Sequence, residues 1–255
     1  MSSLNPTIRF GDRAEAYAKA RPRYPKEIIS VLNGSCGLTP EWTVMDIGSG
    51  TGILSQLFLD HGCRVFCVEP NEAMRKAGEA SLSHYEHFIS IEGTAEQTTL
   101  KDQTIDLIVA GQAFHWFDVS LFKHESQRIL KPDGWVSLVW NTRNDMNNDF
   151  MKAYEEFLME FGTDYNQVKH SPVEEHLRQF FGTSGYSITT LPNNQVLDHD
   201  GLVARVNSSS YMPGKDHKAY GQMLEGIQTL FNRFENNGVV EMEYQTVLYT
   251  GQPQK

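Results

Sequence analysis

Cysteine is scarce, with 3 in 255 residues. Cys36, Cys63 and Cys67 form no Cys-x-x-Cys pair and have no histidine at zinc-like spacing. Neither a disulfide framework nor a structural zinc site is therefore expected, and buried free thiols are. No apolar run approaches the roughly 18 residues of a membrane span. The opening Met1-Ser2-Ser3-Leu4-Asn5-Pro6 has no basic segment followed by an apolar one, so no leader or membrane contact is expected and the expected location is cytoplasmic. Positive charge is also short: 22 Lys and Arg face 32 Asp and Glu, for a formal net charge of -10. With no Lys/Arg cluster to offset it, that balance would repel a phosphate backbone, and nucleic acid is not expected as a partner. The sequence also lacks internal repeats, low-complexity tracts and a linker rich in Pro, Gly or Ser.

What remains is the composition of a globular chain, 40% hydrophobic and 21% charged, long enough for one well-buried α/β domain with added helices. Through the first 140 or so residues, short apolar runs alternate with amphipathic segments, the rhythm of a parallel sheet covered by helices on both faces. Strands are predicted at Trp42 to Ile47, Arg64 to Val68, Phe88 to Glu92, Ile105 to Ala110 and Trp135 to Trp140. Between them fall helices from about Ile53 to Asp60, capped by Gly62, and from Glu72 to Leu82. A further helix starts at Asp118 or Ser120 and ends in the turn Lys131-Pro132-Asp133-Gly134. After Asn141 the pattern turns helical, near Phe150 to Phe161 and Val173 to Phe181, before an apolar strand from Tyr186 to Leu191. Tyr220, Met223, Leu224, Ile227, Leu230, Phe231 and Phe234 form one stripe of a long helix. Alternation from Val240 to Leu248 predicts a final antiparallel strand. The expectation is a single domain, 1–255, with an N-terminal cap over about 1–40, an inserted helical lid over about 142–182 and a helical insertion over about 200–237.

The run Val44-Met45-Asp46-Ile47-Gly48-Ser49-Gly50-Thr51-Gly52 lies where the first strand turns into a helix. Glycines there let a ligand approach main-chain N–H groups with no Cβ in the way. Dinucleotide enzymes place Gly-x-Gly-x-x-Gly at the same turn. Here the spacing is Gly-x-Gly-x-Gly, Ile53 stands where the dinucleotide pattern has its third glycine, and Asp46 precedes the first glycine by two positions. Both features speak against a nicotinamide dinucleotide. At the end of the second strand, Cys67-Val68-Glu69-Pro70-Asn71 supplies a carboxylate where a ribose would lie, able to accept charge-assisted hydrogen bonds from both ribose hydroxyls.

These residues resemble the class I S-adenosylmethionine-dependent methyltransferases, whose first motif is apolar-apolar-Asp-x-Gly-x-Gly-x-Gly and whose second strand ends in an acidic ribose ligand. The resemblance continues at Gly93-Thr94-Ala95-Glu96 and at Ile129-Leu130-Lys131-Pro132-Asp133-Gly134, where Asp133 replaces the commoner glycine. Phe10 to Tyr17, Arg21-Pro22-Arg23-Tyr24-Pro25, Gly111 to Asp118 and Tyr244 to Gly251 are similar to the trans-aconitate-methyltransferase-like small-molecule branch. The resemblance implies an α/β, Rossmann-like, doubly wound sheet of seven strands, mostly parallel, with an antiparallel last strand and inserted lid helices. It implies S-adenosylmethionine as methyl donor, S-adenosylhomocysteine as product and no metal. Asp46, Gly48, Ser49 and Gly50 would meet the methionine portion, Glu69 the ribose, and Thr94, Ala95 and Glu96 the adenine. Pro70, Met74 and Gln112 belong to the same cofactor set, and Tyr17 and Arg21 would fold over it from the N-terminal segment.

The expected reaction is in-line transfer of the methyl group to a small-molecule carboxylate, hydroxyl or amine. Residues after the fourth strand lie at the edge where ligands of open α/β sheets gather, so His115 and Trp116, with Tyr24, are the candidates to meet the acceptor. His115 is the one nearby side chain whose ordinary pKa is close to neutrality, which makes it the candidate catalytic base. Packing is the competing role for it, and alignment alone supplies much of the rate of such a transfer. Gly111-Gln112-Ala113-Phe114 replaces the Asn- or Asp-Pro-Pro-aromatic run of enzymes that methylate bases, and the fourth strand ends without carboxylates for a divalent ion. A nicotinamide-dependent oxidoreductase, a nucleoside-binding protein without catalysis and a macromolecule methyltransferase are the alternative readings.

Overall fold

The computed structural model describes residues 20–163, 165 and 173–253. Seven strands form one sheet in the order β3-β2-β1-β4-β5-β7-β6. The strands are β1 (Thr43–Ile47), β2 (Arg64–Val68), β3 (Phe88–Ile91), β4 (Ile105–Gly111), β5 (Leu130–Arg143), β6 (Ser187–Leu197) and β7 (Val240–Gly251). The first five run parallel, and β7 pairs antiparallel with both β5 and β6. β1 and β4 are apolar runs because they are central and covered on both sides: from Val44 to Ile47 every β1 residue is buried. The chain leaves β1 toward β2 on one side and returns to β4 on the other, so the carboxyl ends of β1 and β4 flank the point where the winding reverses. Open α/β sheets bind ligands in that crevice.

The sheet is joined by α1 (Glu27–Cys36), α2 (Ser55–His61), α3 (Glu72–Leu82), α4 (Val119–Ile129), α5 (Asp149–Phe161), α6 (Val173–Phe181), α7 (His199–Asn207) and α8 (Tyr220–Phe234), with short 3-10 turns at Phe114–Trp116 and Gly182–Ser184. Side chains at the helix starts satisfy free backbone N–H groups: Asn71 accepts from Met74, Asp118 from Leu121 and Asn148 from Met151. Gly62 ends α2 in the left-handed conformation. One face of the sheet buries Ile28, Leu32 and Phe58 with Val44 and Val65, and the other buries Phe122, Leu177 and Phe180 with Met45 and Ile108. α6 thus belongs to the sheet, with Phe180 stacked on Phe122 of α4 at 4.9 Å. α5 instead shares a separate core with α7, α8 and β7, built on Tyr154, Leu158, Leu202, Ile227 and Met242. Cys63 and Cys67 are buried, Cys36 is half-buried, and all three are free.

Two elements differ from the sequence prediction. Lys131 to Gly134 does not close a turn ahead of β5: Leu130 already pairs with Ile105, and the ladder resumes at Trp135 opposite Leu107, so these residues form an irregularity inside the strand. β6 runs on to Leu197, because every residue from Ser187 onward finds a partner on β7. Pro192 is tolerated since β6 is an edge strand.

Candidate active site

The glycine loop follows β1 directly. Gly48, Gly50 and Gly52 have φ of 65°, 57° and 80°, in the region that disfavours side chains. A Cβ at Gly48 would lie 2.7 Å from the Ala113 side chain, so the loop can sit this close to the β4 end only as glycine. The backbone N–H of Gly50 donates to Oε2 of Glu69 at 2.9 Å, and that of Asn71 to Oε1 at 2.8 Å. Glu69 is buried, and burial pushes its carboxyl up while these hydrogen bonds and Arg75 pull it down. The glutamate is thereby held in one orientation, with lone pairs on both oxygens left for a diol.

Asp46 is buried at the end of β1. Its Oδ2 accepts from Ser55 Oγ at 2.5 Å, and its Oδ1 has no hydrogen-bond partner. Burial raises its carboxyl to about 7, against the lowering effect of Ser55 and with a further push from Glu69. An orphaned buried oxygen and a carboxylate held up by desolvation are both relieved by a cationic ligand. The residues present therefore fit a nucleoside carrying positive charge: a side-chain-free cradle, a pinned glutamate and an unsatisfied buried aspartate.

A cavity of about 450 Å³ opens beside this loop, within the range of roughly 300–1,000 Å³ usual for small-molecule sites. Arg21, Tyr24, Asp46, Gly48, Ser49, Gly50, Gln112, His115 and Trp116 line it. Gln112 holds a left-handed φ of 57° and donates from Nε2 to the Asn141 carbonyl at 2.8 Å. Tyr24 reaches over the end of β4, where a Cβ on Gly111 would stand 2.6 Å from its hydroxyl. Asn141 ties that segment down through the Pro22 and Arg23 carbonyls, both at 3.4 Å. The His115 and Trp116 rings lie 4.7 Å apart. Burial, then the neighbouring His176, lowers the His115 imidazole to about 4, so it is neutral at physiological pH.

Nine of the residues singled out in the sequence thus share one cavity. Glu69 acts on it through Gly50, and Met74, buried at the start of α3, has its methyl end against Gly50. Pro70, Thr94, Ala95 and Glu96 are not among the lining residues: Ala95 packs into the sheet core, and Glu96 accepts from the Asp118 N–H at 3.0 Å. Tyr17 lies outside the described residues. Sequence reasoning missed the opposite wall, where Arg143, Tyr165, Arg205, Tyr211 and Tyr244 line the same cavity. Among the described residues, no group of three or more His, Cys, Asp or Glu is placed to hold a metal ion. No described helix is long and apolar enough to cross a membrane.

A glycine loop, a buried aspartate and a strand-end glutamate thus gather around one cavity at the winding reversal of a Rossmann-like α/β sheet. Residues 45–138 match the family model for the methyltransferase domain. An uncharacterized methyltransferase of Mycobacterium tuberculosis is 34% identical over 54% of this chain and 54% of its own length. The chain thus spans about half the length of the first curated relatives it matches. An uncharacterized methyltransferase of Schizosaccharomyces pombe is 24% identical over 92% of this chain and 93% of its own. In fold, the chain is similar to a provisionally assigned type II methyltransferase from Anaeromyxobacter dehalogenans, with a TM-score of 0.68 and 16% identity over 92% of this chain and 99% of that one. Residues 45–138 thus resemble a methyltransferase domain, and the chain carries the Rossmann-like α/β fold of its structural neighbours.

Proposed function

We propose that this chain transfers the methyl group of S-adenosylmethionine to a small-molecule acceptor, leaving S-adenosylhomocysteine. The observation that carries the reading is the hydrogen bond from Gly50 N–H to Glu69, which joins the glycine loop to the strand-end carboxylate beside the buried Asp46. In this reading Gly48, Ser49 and Gly50 hold the methionine portion, Glu69 takes the ribose hydroxyls and Asp46 faces the positive charge. When bound, the donor supplies a methyl group on a positively charged sulfur. Tyr24 and Trp116 offer ring faces to that charge. His115, neutral and with a conjugate acid near 4, accepts a hydrogen bond from an acceptor hydroxyl or amine and is a weak base. Alignment of the acceptor with the methyl group in this cavity then carries most of the rate.

Calorimetry with S-adenosylhomocysteine and with NAD tests the cofactor: binding of NAD without S-adenosylhomocysteine would overturn the assignment. Transfer from a radiolabelled methyl donor across carboxylate, hydroxyl, amine and thiol acceptors tests the reaction. Thiols join the panel because a thiol S-methyltransferase of Rattus norvegicus is 31% identical over 48% of this chain. A protein that binds the donor and is silent on all four classes is a nucleoside-binding protein instead.

A further inference from the structure

The tyrosine hydroxyls on the far side of the cavity have unlike surroundings. Tyr154 is fully buried, its hydroxyl has no hydrogen-bond partner, and burial pushes its phenol up to about 12. Tyr165 donates to Glu155 at 2.6 Å, and burial, with that carboxylate, pushes its phenol well up against the pull of Arg143. Tyr244 accepts from Arg205 Nε at 3.2 Å, and its hydroxyl lies 3.7 Å from the Met242 sulfur. Tyr211, a cavity residue between α7 and α8, is the opposite case. Its oxygen accepts from Arg143 Nη1 at 3.2 Å and takes a second hydrogen bond from Ser209, whose Oγ itself accepts from Arg205 Nη1 at 2.9 Å. Among the described residues, no carboxylate or carbonyl accepts a hydrogen bond from Tyr211. Its own carbonyl accepts from the Thr163 N–H at 2.9 Å and the Thr163 hydroxyl at 3.1 Å, and its ring lies 4.9 Å from that of Tyr165, so the phenol is fixed in place.

A phenol oxygen that receives hydrogen bonds and passes its own proton to no protein group is arranged to lose that proton. Burial raises the Tyr211 phenol, yet Arg143, Arg205 and Arg21, with the Ser209 hydrogen bond, outweigh burial and bring it down to about 8. Asp145 and Glu155 do not cancel that charge at the phenol, since both pair with Arg143, at 3.1 and 3.3 Å. Methyl transfer to a nucleophile that carries a proton is helped by a base whose conjugate acid lies near the working pH. Tyr211 meets that condition, and His115, lowered to about 4, does not. The strength of the base also selects the acceptor. Thiols and phenols, with ordinary pKa values of roughly 8.5 and 10, are within reach of such a phenolate. An aliphatic alcohol is too weak an acid, and a carboxylate has no proton to give at neutral pH. An ammonium group would have to enter against the charges of Arg21, Arg143 and Arg205, which all line the cavity.

We propose that the Tyr211 phenolate is the general base of the transfer, taking the proton of a neutral thiol or phenol acceptor in this cavity. The proposal rests on the methyl-transfer reading above. The S–H or O–H proton of the acceptor passes to the Tyr211 oxygen, and the electron pair left on that sulfur or oxygen forms the bond to the methyl carbon. The electron pair of the breaking carbon–sulfur bond returns to the donor sulfur, and Tyr211 afterwards releases its proton to solvent. Calorimetry with S-adenosylhomocysteine comes first, since absence of binding sinks the parent reading by itself. Ultraviolet titration in the tyrosinate band, wild type minus Tyr211→Phe, should then show one phenol ionising near pH 8, about two units below an ordinary tyrosine. No difference below about pH 9 overturns the proposal. Transfer from a radiolabelled methyl donor is next followed with mercaptoethanol, thiophenol and phenol as probes. At least one should be methylated, with kcat rising with pH to a plateau near pH 8. Tyr211→Phe should lower kcat roughly 100- to 10,000-fold, abolish that inflection and leave KM within about threefold and S-adenosylhomocysteine affinity within about twofold. Methylation of none of the three probes, an inflection retained in the variant, or a loss carried by KM and S-adenosylhomocysteine affinity alone overturns the assignment. Should Tyr211→Phe fail to fold, the wild-type protein serves: of its 10 tyrosines, one should ionise in a separate step near pH 8. A wild-type titration with no step below about pH 9 overturns the assignment as well.

Discussion

Replacing Glu69 by Gln tests the donor half of the site at a single atom. Both carboxylate oxygens already accept backbone N–H groups, from Gly50 at 2.9 Å and Asn71 at 2.8 Å. An amide offers one acceptor oxygen and one NH₂, so in either orientation one backbone donor faces another donor. That lost bond in a buried setting should cost about 1–3 kcal/mol of stability and loosen the glycine loop. The charge lost from the ribose contact should remove about 1.5–3 kcal/mol of binding, roughly 10- to 150-fold in Kd. Calorimetry with S-adenosylhomocysteine and with adenosine, alongside thermal unfolding, reads both effects. The two ligands share the ribose, so both should lose affinity by the same factor. A variant that melts like the wild type and binds both within twofold would refute the account of Glu69, and a loss confined to S-adenosylhomocysteine would place Glu69 away from the sugar.

Asp46 and His115 should give stability profiles of opposite slope. With Asp46 raised to about 7 from 3.8, chiefly by burial, the folded chain holds a proton that the unfolded chain has released, so stability from this group is lost as pH rises through that window. With His115 lowered to about 4 from 6.5, the unfolded chain holds the extra proton, and stability is lost as pH falls. Denaturant unfolding should therefore show stability rising from pH 4 to 6.5 in Asp46→Asn and falling from pH 4 to 7 in His115→Gln. Either slope is bounded at roughly 3 to 4 kcal/mol at about 1.4 kcal/mol per pH unit, and parallel profiles would contradict both assignments. Gly48→Ala should destabilise by at least about 1–2 kcal/mol through its left-handed backbone, with Ala113→Gly restoring only the part due to the 2.7 Å contact, as thermal melts of the double variant would report. Asn141→Ala removes the donor to the Pro22 and Arg23 carbonyls, and hydrogen exchange should show faster opening of residues 20–25 with α4 unchanged.

The glycine-loop side of the cavity was legible because its residues are local. Asp46 and the three glycines are neighbours in sequence, and Glu69 ends the next strand, so spacing alone joins them. The central strands were legible for a related reason: β1 and β4 are buried on both faces and stand out as apolar runs. The opposite wall was hidden because Arg143, Arg205 and Tyr244 come from three distant elements that meet only after β7 inserts between β5 and β6. One signal was available: Arg205 sits with Leu202 and Val206 on the buried face of α7, where an amphipathic helix has no use for a solvated charge. The strand irregularity at Lys131 to Gly134 was unreadable for the opposite reason, since its residues spell a turn and only pairing with β4 shows that the ladder continues past them.

The two walls of the cavity come from separable stretches of the chain. The loop at Gly48 to Gly52, Gln112, His115 and Trp116 all fall inside the segment shared with other methyltransferase domains, 45–138, whereas Arg143, Arg205, Tyr211 and Tyr244 all follow it. The two stretches still touch, since Gln112 donates from its backbone to the Val139 carbonyl and from its side chain to the Asn141 carbonyl. A chain exchanged from residue 139 onward would therefore carry a new second wall but would also cut β5 and the support of Gln112, so the walls are separate in sequence and joined in structure.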